Sequence, residues 1–238
     1  MALPKIETPV IEIEIPTFDK VVSFRPFLVK EEKILLIAKQ SQNTKEMAKA
    51  IKQVVNNCCL DSSVNIDDFA MTDLEYAFIK LRAFSVNNIV EFMITDDEDN
   101  KEYKIEIDLN KIEVKRKKEV KNKIEISKTA GLIMKYPSAD MIDKLEKVEL
   151  KNETEVLNFF ISKCIKTIYD EETVYEVKDF SDEEVTEFID CLDIKTFKKI
   201  EKFFESIPKL EYTIEYKNSL DKDKKIVLDD MKDFFYWG

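Results

Sequence analysis

A chain of 238 residues with 44% hydrophobic and 37% charged positions, six prolines and two glycines can bury a sizeable core and is not a linker or low-complexity polymer. Its 49 acidic against 38 basic residues leave a net charge of -11, a field that repels phosphate backbones and anionic headgroups and favours basic protein partners. The lack of histidine removes the commonest general base, the triad relay and the commonest metal ligand, and two glycines cannot build a phosphate-cradling loop.

The chain opens with alternating apolar and polar residues at Val10 to Ile15, a turn at Pro16 to Lys20, and a second run at Val21 to Phe24, which predicts a β-hairpin. After Pro26, Lys30 to Lys39 predicts a helix. Asn43 with Glu46 three residues later starts a second helix, which runs to about Cys58 with Met47, Ile51, Val54 and Val55 on one face. Thr72 and Glu75 read as a capping box and Met71 with Tyr76 as a staple, so a helix from Asp73 to Phe84 is expected, burying Leu74, Phe78 and Leu81. Alternating runs at Ile89–Ile94, Tyr103–Leu109, Ile112–Val114 and Ile124–Ile126 predict one small antiparallel sheet in the middle.

The second half reads as helical. Ser138 to Lys147 follows Pro137 as a short helix, and Thr154 to Ile168 is a longer one with Leu157, Phe160, Ile161, Cys164 and Ile168 facing inward. Ser181 with Glu184 is a further capping box, Asp193 caps a helix presenting Phe197, Ile200, Phe203 and Phe204, and Pro208 stops it. Tyr212–Tyr216 and Ile226–Leu228 close the chain as a hairpin. The fold class is therefore α+β, with a soft boundary that divides residues 1–136 from a helix-rich 137–238, either as two subdomains or within one body.

No stretch approaches the roughly 20 apolar residues of a bilayer span, and Met1 to Val10 lacks the basic start and apolar core of a secretory signal. The cysteines Cys58, Cys59, Cys164 and Cys191 have no disulfide-framework spacing, which fits a reducing cytoplasm; Cys164 and Cys191 are expected in the core.

Candidate sites are few. Asp96, Asp97, Glu98 and Asp99 could ligate a hard cation but lack the glycine turn and distal glutamate of a calcium loop, so a solvated turn is expected. The basic run Lys115 to Lys118 has no interleaved aromatics for base stacking and reads as an exposed turn or a docking patch for an acidic protein. Arg25, Pro26 and Phe27 either seat a partner or close the hairpin onto the first helix, and the terminal Phe234, Phe235 and Trp237 either dock on the core or form an interface. Catalytic residues, cofactors and metals are not expected.

Several segments in order carry a resemblance: Arg25-Pro26-Phe27 leading into Val29 to Leu36, then Leu74-Glu75-Tyr76 with Leu81-Arg82-Ala83 and Ser85, Ile107-Asp108-Leu109, Phe203 to Leu210, and Asp233-Phe234-Phe235. Together they resemble the baseplate hub protein family of T4-like contractile-tailed phages. The resemblance implies a non-enzymatic hub component or hub assembly factor. It would be made in the host cytoplasm, would bind other baseplate hub proteins, and would reside in the virion tail if it stays after assembly. Relatives with a cysteine pair in the middle hairpin could hold zinc there; this chain has Asp96 to Lys101 at that place. The alternative from composition is an acidic inhibitor that mimics nucleic acid and binds a host protein.

Overall fold

The computed structural model describes residues 7–116, 121–148 and 152–228. In chain order its elements are β1 (Ile11–Ile15), β2 (Lys20–Phe24), α1 (Val29–Ser41), α2 (Thr44–Cys58), α3 (Met71–Ser85), β3 (Ile89–Thr95), β4 (Glu102–Asp108), β5 (Glu113–Lys115), β6 (Lys123–Glu125), β7 (Gly131–Met134), α4 (Met141–Glu146), α5 (Glu153–Cys164), β8 (Ile165–Tyr169), β9 (Val174–Glu176), α6 (Asp182–Asp190), α7 (Ile194–Phe204), β10 (Lys209–Lys217) and β11 (Asp223–Leu228). The fold is α+β with small antiparallel sheets. Among the described residues no helix is long and apolar enough to cross a membrane.

The chain forms two compact units, residues 1–115 with 209–238 and residues 116–208. The second unit is an insertion: the chain leaves the first after Lys115 and returns at Lys209, and these two residues are cross-strand partners of β5 and β10. The expected boundary at 136/137 instead falls inside the second unit. The junctions lie at the ends of paired strands rather than in flexible linkers, so the basic run at Lys115 and Pro208 beside Lys209 do not read as domain boundaries.

In the first unit, the period of two places Ile13, Ile15, Val22 and Phe24 on the buried face of the β1–β2 hairpin. The end of α2 is stitched to β2 by Leu60 N to Ser23 O at 2.9 Å and Arg25 N to Cys58 O at 2.9 Å. Helix α2 buries Ile51, Val54 and Val55 as its spacing predicts. Helix α3 buries Leu74, Phe78 and Leu81 but starts earlier than expected, at Met71, with Ala70 as an N-cap that offers no side-chain bond. Thr72 is inside the helix and buried, so it does not cap. The adjacent Asp73 is fully buried and accepts from Thr17 N at 2.9 Å and from Thr17 Oγ1, tying the hairpin turn to the helix start. A carboxylate in the first turn also suits the helix dipole.

The expected middle sheet is divided three ways. Strands β3 and β4 pair only with each other, β5 joins β10 in the order β11-β10-β5, and β6 belongs to β6-β7-β8-β9 in the second unit. Ile79, Phe92, Ile107, Ile112, Leu210 and Ile214 form one core under β3, β4, β5, β10 and β11. A three-residue strand such as β5 carries too little pattern to name a partner almost a hundred residues away.

In the second unit, α5 ends at Cys164 and the chain passes directly into β8, where a helix to Ile168 is expected. The segment Ile165-Lys166-Thr167-Ile168 is β-branched with period two, which favours a strand. Ile161 and Cys164 are buried and Phe160 and Ile168 pack against the core as expected, whereas Leu157 is exposed and Phe159 is buried in addition. The capping box holds: Glu184 N donates to Ser181 Oγ at 3.2 Å and Ser181 N to Glu184 Oε2 at 2.8 Å, while Asp193 accepts from Thr196 N at 2.6 Å. The core joins Leu132, Met134, Phe159, Ile161, Ile200 and Phe203, with Tyr136 stacked on Phe203 at 5.6 Å.

Candidate partner-binding surfaces

Arg25, Pro26 and Phe27 sit where the first hairpin meets three helices. The Arg25 guanidinium forms a two-pronged pair with Glu31, Nη2 to Oε1 at 3.0 Å and Nη1 to Oε2 at 3.2 Å, and also reaches Pro26 O at 3.0 Å and Asn57 O at 2.7 Å. The Glu31 side chain is fully buried and caps α1 by accepting from Leu28 N at 3.0 Å. Burial pushes the Glu31 carboxyl up, but the bonds from Arg25 and Leu28 outweigh it and hold its pKa below the ordinary value. Phe27 N donates to Ser85 Oγ at 2.8 Å, and the Phe27 ring lies 5.4 Å from that of Phe78. Of the two roles open to this tripeptide, the geometry displays the internal one: it closes the hairpin onto α1, α2 and α3.

The surface beside this corner is more available. Val29, Leu36 and Ile37 occupy one stripe of α1 at i, i+7 and i+8 and are 73%, 50% and 68% exposed. The segment therefore shows apolar side chains outward, whereas Ala38 is its one buried apolar residue. Exposed apolar clusters of this kind mark contact surfaces more often than isolated leucines do. Phe234, Phe235 and Trp237 lie outside the described residues, as do Lys117 and Lys118 of the basic run.

Asp96 to Asp99 form the expected turn between β3 and β4, with Asp97 and Glu98 exposed, but Asp96 is enclosed. Asp96 is 1% exposed and accepts from Tyr216 Oη at 2.7 Å, Glu98 N at 2.9 Å and Asp99 N at 3.2 Å. Asp99 accepts from Ser219 N at 3.0 Å, Ser219 Oγ at 2.7 Å and Tyr103 Oη. Lys224 lies 3.1 Å from Asp97 and 3.0 Å from Glu98, and Lys222 lies 2.7 Å from Glu98. The β3–β4 turn is thus fastened to the β10–β11 turn, with the protein's own lysines supplying positive charge. The bond to Asp96 pushes the Tyr216 phenol up to about 12. Sequence could not show this, because Tyr216 and Asn218 are some 120 positions away. Among the described residues no three metal-ligating side chains converge.

The buried thiols of Cys58 and Cys164 are not poised as nucleophiles. Burial pushes Cys58 up to about 11 and Cys164 up to about 12. Cys191 is exposed, contrary to its expected core position, because α6 ends at Asp190 and leaves it as the cap beyond the helix.

The chain matches the family model described as T4 bacteriophage base plate protein over residues 8–236. No curated protein and no solved structure matches it. The match spans both units, from the first hairpin through the last strands, and on that ground the chain belongs to the T4 bacteriophage base plate protein family.

Proposed function

We propose that this baseplate protein acts at the central hub of a contractile tail, as a hub component or hub assembly factor that works by protein contacts and without catalysis. The family match carries the baseplate assignment. The hub role is supported by the ordered segments Arg25-Pro26-Phe27, Leu81-Arg82-Ala83 and Phe203 to Leu210, which resemble hub proteins. Synthesis in the host cytoplasm follows from that role, and incorporation into the tail follows from its component version.

The absence of catalysis is supported by what the polar groups do. The carboxyls of Glu31, Asp96, Asp99, Asp140 and Asp170 are all held below their ordinary pKa, as anions bonded to internal donors, where a general acid needs the opposite shift. A nucleic-acid mimic needs an acidic face free of cations. Here lysines interleave with the carboxylates, Lys104 with Glu91, Lys222 with Glu98 and Lys224 with Asp97.

Deleting the reading frame from the phage tests the role: hub-deficient baseplates and tails are expected. Complete, functional tails from the deletion would reject it. Mass spectrometry of purified wild-type particles then separates the two versions, since a stoichiometric signal favours a component and its absence an assembly factor.

A further inference from the structure

The second unit contains an open cavity of about 390 Å³, at the small end of ligand-sized pockets. Its floor is apolar, formed by Ile168 of β8 and by Val185 and Phe188 of α6. One wall is aromatic, with the rings of Tyr175 and Phe180 edge to face at 6.2 Å. Two carboxylates complete the lining, Asp170 and Glu184, and none of the lining side chains is basic.

Both carboxylates are fixed in place. Asp170 accepts from Glu172 N at 2.9 Å, Thr173 N at 2.8 Å and Tyr175 Oη at 2.9 Å, and Glu184 accepts from Ser181 N at 2.8 Å. These bonds use the nearby donors, so the cavity presents hydrocarbon, aromatic faces and negative charge. Exposed Glu171, Glu172, Glu183 and Glu187 flank the two lining acids in sequence, and the Lys123 cation lies over one lining ring, 4.9 Å from that of Tyr169. A phosphate or carboxylate ligand is repelled by such a lining. A visitor with an apolar body and an adjacent cation satisfies both parts, with a further contribution from cation–π contact.

We propose that this cavity anchors a segment of a partner protein in which a bulky apolar side chain adjoins an arginine or lysine. The apolar side chain fills the space between Tyr175 and Phe188, and the cation meets Asp170 and Glu184. The inference rests on the reading of this chain as a protein-binding baseplate part and names the chemistry of one contact.

The test titrates the isotope-labelled full chain with two blocked tetrapeptides, one with a central phenylalanine–arginine pair and one with phenylalanine–glutamate. For the basic peptide, saturating amide shifts are expected at Ala130, Asp170 and Phe188, with an affinity about five-fold above that of the acidic peptide. The double variant Asp170→Asn, Glu184→Gln preserves shape and should erase the preference. Equal affinities in the wild-type chain, shifts that map elsewhere, or no shifts would overturn the proposal, whatever the variant does. Tighter binding of free phenethylamine than of the basic peptide would assign the cavity to a small cation and also overturn it. No tail protein takes part, so a negative result leaves the hub reading intact, and failure to find a tail complex leaves this result intact.

Discussion

The two units use carboxylates in opposite ways. Among the described residues, the buried carboxylates Glu31, Asp73 and Asp96 all belong to the first unit, where Glu31 ties α1 to the residues after β2 and the other two fasten elements far apart in sequence. The buried polar groups of the second unit are hydroxyls, those of Ser138, Ser162, Thr167, Thr196 and Ser206, and no acid is among them within the described residues. Two hairpin turns make the point at one residue each. Asp96 and Asp170 both accept from the amides two and three residues on and from a tyrosine hydroxyl, yet a second hairpin lies over Asp96 while Asp170 is exposed beside a cavity. The same local chemistry holds one unit closed and leaves the other with charge directed outward.

The strongest way to break the comparison is to remove a buried fastener. Glu31→Ala removes the carboxylate that neutralises the Arg25 guanidinium and the acceptor at the start of α1, and should cost about 3 kcal/mol, read by chemical denaturation. A loss no larger than that of an exposed glutamate would contradict the role assigned to the buried pair.

In the second unit the vulnerable point is steric. A Cβ on Gly131 would lie 2.5 Å from the backbone Ile124 O and 2.3 Å from Tyr169 Oη, so Gly131→Ala should cost about 2 kcal/mol by forcing β6 and β7 apart. Hydrogen exchange should show the loss in β6, β7 and β8, with the amides of β3 and β4 unchanged.

The two aspartates sharpen the comparison directly. Asp96→Asn should lower Tm clearly more than Asp170→Asn, because only Asp96 is enclosed. The pH dependence has a definite sign. The Asp96 carboxyl is lowered, with burial opposing and the bonds from Tyr216 and the turn amides prevailing. Its contribution is present above the unfolded value near 4 and is lost as pH falls through the lower folded value. Wild type should lose stability between about pH 5 and 2 more steeply than Asp96→Asn. At the other end, the Tyr216 phenol keeps its proton in the fold up to about 12, so stability also falls as pH rises from about 10 towards that value. The smallest effect is the cap: Ser181→Ala should cost about 1 kcal/mol, confined to α6.

What sequence could show follows the range of the interactions. The β1–β2 hairpin, α2 and the Ser181 capping box are set by residues within a turn or two of one another, and they stand as expected. The insertion at Lys115 and Lys209, the pairing of β5 with β10 and the enclosure of Asp96 by Tyr216 depend on contacts about a hundred positions apart, which no local pattern encodes. The Thr72 box is absent for a related reason, since Asp73 finds its partner in Thr17 of the first hairpin and the helix begins two residues early. The cavity was legible only in pieces. Phe180 and Val185 are visible as neighbours of a cap, but the sequence pattern puts Ile168 in a helix, and only its place on β8 brings it to the floor.

Co-expression of this chain with the baseplate hub proteins of its own phage, followed by size-exclusion chromatography, tests the central claim most directly. A stable complex that elutes ahead of each free protein is the predicted result. Separate elution of this chain in every combination would contradict it.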